Sequence, residues 1–72
     1  MEFKIGDNVK YLLTGKTYII KATKDEPYNH EYSGLIYPSE ENDFVIIETP
    51  LKEGVVTPFT HAEKNLLQLI ED

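Results

Sequence analysis

Residues 8–24, NVKYLLTGKTYIIKATK, constrain the fold of this chain more than any other stretch. Val9, Tyr11 and Leu13 alternate with Asn8, Lys10 and Leu12; after Thr14, Gly15 and Lys16, the series Tyr18, Ile20 and Ala22 alternates with Thr17, Ile19 and Lys21. A period of two places each series on one side of an extended chain, and β-branched and aromatic residues dominate both arms. Gly15 is free to adopt the positive φ that a tight connection needs. The segment is therefore expected to be a β-hairpin, and the remainder must complete a sheet around it.

The rest of the chain supplies strands. DFVIIET, from Asp43, holds a continuous apolar run from Phe44 to Ile47, too short for a helix and rich in β-branching. PLKEG at 50–54 predicts a turn, and VVTPF at 55–59 a further strand whose Pro58 places it at an edge or bulge. Thr60 and Glu63 have the spacing of a capping box, whereas Leu67 and Leu69 alternate around Gln68. The combination predicts a 3₁₀ turn at 61–65 followed by a closing strand at 66–70, with a longer helix over 61–71 as the alternative. The expected core is Phe3, Val9, Tyr11, Tyr18, Ile20, Val45, Ile47, Val56, Leu67 and Leu69.

With 72 residues and no cysteine, the chain is expected to be one domain over 1–72, held by packing alone. It shows no signal-peptide core and no run of about eighteen apolar residues. A cytoplasmic protein without membrane contact is the expectation.

Between the hairpin and DFVIIET lies DEPYNHEYSGLIYPSEEND, residues 25–43. It carries Asp25, Glu26, Glu31, Glu40, Glu41 and Asp43 without a single Lys or Arg, while the other residues hold seven acids and seven lysines. The net charge of −6 therefore resides in this excursion. A phosphate-binding surface needs clustered cations, and a chain with no arginine and scattered lysines argues against nucleic acid as a partner. A structureless loop of this length would be unusual in so small a domain. The expectation is a mobile loop over 25–31, a strand over 32–37, and a turn at 38–42 pairing that strand with DFVIIE as a hairpin.

Neither a metal site nor an active site is expected. His30 beside Glu31 and His61 near Glu63 lack the three or four ligands that an ion requires. Glu40, Glu41 and Asp43 sit among Ser39 and Asn42, where solvation works against the raised pKa of a general acid. Ser33 and Ser39 have no base and orienting group beside them in sequence. No cofactor is expected, and the chain reads as non-enzymatic.

FKIGDNVKY at the start, the two-strand hairpin, an excursion, two further strands, a single helical turn and a terminal LLQLIED resemble a small SH3-like barrel of five to six strands. The nearest variants are the bacterial and phage barrels related to KOW and Tudor domains. The resemblance rests on Gly6, Asp7, Val9, Leu67, Leu69 and Ile70. It implies an all-β fold and a protein or peptide partner met by aromatic side chains beside the loops.

Tyr28, Tyr32 and Tyr37 are three of the five tyrosines and all fall in the excursion, which with His30 and Glu31 makes them the candidate binding residues. The bland alternative is that YSGLIY is an added strand whose Leu35 and Tyr37 cap the barrel, with Ile36 facing away. The functional expectation is a non-catalytic interaction module, a monomer or weak dimer, whose acidic rim steers a basic partner. A phage or mobile-element accessory protein with a nucleic-acid-mimicking surface is the second reading. An RNA-binding KOW-like barrel ranks last on charge.

Overall fold

The first hairpin forms as its alternation requires. In the computed structural model, which describes residues 3–30, 33–49 and 58–70, β1 (Asn8–Tyr11) pairs antiparallel with β2 (Lys16–Thr23), Val9 lying opposite Tyr18. β1 stops at Tyr11, earlier than the apolar pattern suggested. The amides of Thr14 and Gly15 both donate to the Tyr11 carbonyl, at 3.2 and 2.7 Å, and Gly15 takes φ 73°. This tight turn leaves Leu12 and Leu13 exposed, so Leu13 does not continue the face of Val9 and Tyr11 as the alternation suggested.

Four strands continue the count: β3 (Tyr28–His30), β4 (Gly34–Ile36), β5 (Phe44–Glu48) and β6 (Phe59–Ala62). A 3₁₀ turn over Lys64–Leu66 leads into β7 (Leu67–Leu69). The protein is all-β. One antiparallel sheet has the order β6-β5-β2-β1-β7, and β3 with β4 forms a separate two-stranded hairpin. Among the described residues no ladder joins β7 back to β6. Val9, Tyr11, Tyr18, Ile20, Phe44, Ile46, Ala62 and Leu67 form one buried cluster, with Phe3, Leu66 and Leu69 packed against it. Its members come from all five strands, as a sheet curled around its own face produces.

The C-terminal reading holds in kind and shifts in place. The longer helix does not form. His61 and Ala62, expected in the helical turn, belong to β6, because Ala62 pairs with Phe44 and enters the inner cluster. Glu63 is the N-cap residue and no side chain of the expected capping box is used. The Lys64 amide donates instead to Asp43 Oδ2 at 2.9 Å, a carboxylate 21 positions away in the chain. A long-range cap of this kind carries no local sequence signature. The expected turn at 50–54 and most of the strand at 55–59, Val56 included, lie outside the described residues.

β5 explains the architecture of the other face. Phe44, Val45, Ile46 and Ile47 are all buried, so this strand is covered on both sides. Phe44 and Ile46 point into the inner cluster, while Val45 joins Ala22 and Ile36 in a second cluster against which Tyr28 and Phe59 pack. The β2–β5 register shifts between Ile20 and Ala22: Ile20 lies opposite Ile46, but Ala22 opposite Val45. One extra residue, Lys21, thus turns Ala22 to the opposite face from Ile20, against the simple alternation expected of this strand.

Candidate interaction surface

The second cluster is roofed by the excursion, and its hairpin differs from the one expected. Tyr28–His30, placed in a mobile loop by the sequence reading, is β3, and β4 pairs with it rather than with β5: Tyr28 lies opposite Ile36, Asn29 opposite Leu35, and His30 opposite Gly34. Gly34 takes φ 78°, a conformation that an L side chain rarely adopts, where the chain enters β4. The connection from β3 to β4 spans residues 31–33 and that from β4 to β5 residues 37–43, so loop closure favours the nearer partner by less than about 1 kcal/mol. The packing of Ile36 and Tyr28 on Ala22 and Val45 adds to that preference.

Side-chain direction within β4 is the reverse of the capping alternative. Ile36 is buried at 8% exposure, while Leu35 at 63% and Tyr37 at 53% face outward. Ile36, Tyr28 and His30 therefore share the inner side of the hairpin, and Leu35, Tyr37 and Asn29 the outer. Glu31 and Tyr32, the remaining candidate contacts, lie outside the described residues.

A line of rings fastens this hairpin to the sheet. His30 stands edge-on to Tyr28 at 5.9 Å and to Phe59 of β6 at 5.5 Å, and Phe59 stands edge-on to His61 at 5.8 Å. The Lys21 ammonium lies 5.8 Å from the centre of the Tyr28 ring. Two backbone amides bind imidazoles: Ser33 donates to His30 Nδ1 at 3.2 Å, and Ser39 to His61 Nδ1 at 3.1 Å. Tyr28 and His30 thus act as packing groups of the second layer. Tyr37 is the described tyrosine of the excursion whose ring is available to a partner.

The acidic flanks carry local hydrogen bonds, between residues two or three apart. The Asp25 and Glu26 amides donate to Thr23 Oγ1 at 3.3 and 3.2 Å, and Asn42 donates through its side chain to Ser39 Oγ at 2.6 Å. Asp25 and Asp43, from opposite ends of the excursion, line one open cleft of about 370 Å³ together with Lys24, Lys64, Phe3, Thr23 and Phe44. The cleft is thus lined by residues of both charges. Glu40 and Glu41 remain exposed in the connection that follows Tyr37.

Among the described residues no group of three or more His, Asp or Glu side chains is placed to hold a metal ion. No helix among them is long and apolar enough to cross a membrane. Comparison of the chain with known family models, with curated proteins and with solved structures found no match.

Proposed function

We propose that this chain is a non-catalytic interaction module, a small cytoplasmic domain of the SH3-like type, whose contact face is the outer side of the β3–β4 hairpin and whose partner is a basic protein or peptide. The observation that carries this reading is the exposure of Leu35 in β4 and of Tyr37 just after it, while Ile36 between them is buried. An apolar residue and a tyrosine on one face offer contact area with little rotameric freedom to lose. Burying a Leu or Tyr of this kind supplies about 1.5–3 kcal/mol before the costs of association. Glu40 and Glu41 follow Tyr37 after Pro38 and Ser39, and the excursion holds no Lys or Arg, so a basic partner meets a complementary field.

The nucleic-acid-mimic reading has less support. A mimic presents carboxylates in an uninterrupted row, whereas Asp25 and Asp43 share their cleft with Lys24 and Lys64. Affinity capture with the wild type and with a Leu35→Ser/Tyr37→Ser double variant tests the proposal. Proteins retained at about 0.3 M salt by the wild type and lost with the double variant are the expected result, because salt at that level screens an exposed acidic rim but leaves apolar contact intact. Equal retention by both proteins, or loss from both on raising salt alone, would count against it.

A further inference from the structure

The two edges of the main sheet are finished differently. β6 begins directly after Pro58, a residue that blunts an edge, whereas β7 carries no charge, no proline and no bulge in its pairing with β1. The Leu66 carbonyl accepts from the Leu12 amide at 2.8 Å and the Ile70 amide donates to the Asn8 carbonyl at 2.9 Å, so the even-numbered residues turn their backbone groups toward β1. Alternation then points those of Leu67 and Leu69 away from the sheet. The Leu67 amide is used by the Lys64 carbonyl, which leaves the Leu67 carbonyl and the Leu69 amide without a backbone partner among the described residues.

We infer that β7 is a self-recognition edge, on which a second copy of this chain pairs antiparallel about a two-fold axis at Gln68. The sequence there, LLQLI at 66–70, reads the same in both directions as apolar, apolar, polar, apolar, apolar. Antiparallel self-pairing sets Leu66 opposite Ile70, Leu67 opposite Leu69, and Gln68 opposite the Gln68 of the second copy, so like meets like at every position. The same register brings each Leu69 amide to the other copy's Leu67 carbonyl, the two groups left over, in two symmetric hydrogen bonds. Gln68 is exposed and Ile70 is 39% exposed, and the exposed Leu12 and Leu13 stand at the Leu66 end of the strand. The antiparallel order carries that apolar end of each copy toward Ile70 of the other.

Charge permits the contact and length limits it. Residues 65–70 hold no charged side chain, and the net charge resides in the excursion, whose hairpin packs over Ala22 and Val45 of β2 and β5, with β1 between them and β7 in the sheet. A two-fold contact uses the same edge on both copies and closes on itself, so it stops at a dimer. A strand of three residues buries well under the about 1,200–2,000 Å² of a stable complex, so the dimer is transient and forms at about 0.1–1 mM protein.

NMR diffusion and amide shifts of the full chain, followed from about 0.05 to about 2 mM protein at about 0.05 M salt, read this directly. Diffusion is expected to slow as concentration rises, with the concentration-dependent shifts centred on residues 66–70. At the axis the side chain at 68 meets its own copy, which makes a charge there self-repelling. Gln68→Lys and Gln68→Glu, both at an exposed site, are each expected to associate about fivefold more weakly, whereas their equimolar mixture sets opposite charges together and associates at least as tightly as the wild type. Diffusion independent of concentration up to about 2 mM would overturn the inference. So would association of both variants equal to that of the wild type, a mixture no tighter than either variant alone, or shifts centred on Leu35 and Tyr37, which would place self-association on the hairpin instead.

Discussion

The two faces of β5 are built by different rules. On the inner face, Phe44 and Ile46 meet Val9, Tyr11, Tyr18, Ile20, Ala62 and Leu67, a wholly hydrophobic set drawn from strands far apart in sequence. On the outer face, Val45 meets Ala22 and Ile36, and the layer is completed by Tyr28, His30, Phe59 and His61, which are ringed and partly polar. The inner face is covered by the sheet's own curl, the outer by a short hairpin held through the contact of His30 with Phe59 and, just beyond β4, the Ser39 amide on His61 Nδ1. The larger cluster is expected to set the stability of the whole, and the smaller, ring-rich layer to be the weaker of the two.

Truncation separates the two layers. Ile20→Ala removes a side chain with no exposure from the inner cluster and is expected to cost about 3–5 kcal/mol, a large part of what a domain of this size possesses. Ile36→Ala, on the inner side of the hairpin in the smaller outer cluster, is expected to cost about 2 kcal/mol, because the hairpin can settle into the space. Chemical denaturation of both variants measures the difference, and equal costs would erase the distinction between the layers. Smallest of all is the Leu35→Ser/Tyr37→Ser pair, whose effect on the unfolding midpoint should correspond to less than about 0.5 kcal/mol per site, since both residues are exposed. A larger loss there would mean that these side chains serve the fold, and would remove the basis for a contact face.

The inner layer was legible because alternation is a local signal. Val9, Tyr11, Tyr18, Ile20 and Leu67 were identified from period two, and the terminal 3₁₀ turn and strand from the break in that period. The outer layer was not legible, for three physical reasons. The bulge at Lys21 reverses the side of Ala22 without any residue that announces it. A four-residue apolar run says that β5 is buried but cannot say that its two faces have different covers. Pairing of β3 with β4 is a competition between a near and a distant partner, and the acidic composition of the excursion spoke for a loop when Tyr28, His30 and Ile36 were already spaced to share one face. That spacing, two residues apart on β3 and across the register on β4, was the signal that could have found the layer.

The candidate site was legible as a region and not as a set of residues. Of the tyrosines singled out, Tyr37 faces outward and Tyr28 serves the packing beneath the hairpin. Leu35, set down as a cap on the core, is the more exposed neighbour of Tyr37. Aromatic enrichment marks both interfaces and cores, and only the direction of each side chain tells them apart.

The central claim is that direction: Ile36 toward the sheet, Leu35 and Tyr37 toward solvent. The absence of cysteine from the chain makes it directly measurable. Leu35→Cys, Ile36→Cys and Tyr37→Cys, each made singly, should react with a small thiol reagent at neutral pH in an alternating pattern. The account predicts fast labelling at 35 and 37 and labelling at least about tenfold slower at 36, limited by opening of the hairpin. Equal rates at all three positions, or fastest labelling at 36, would contradict it.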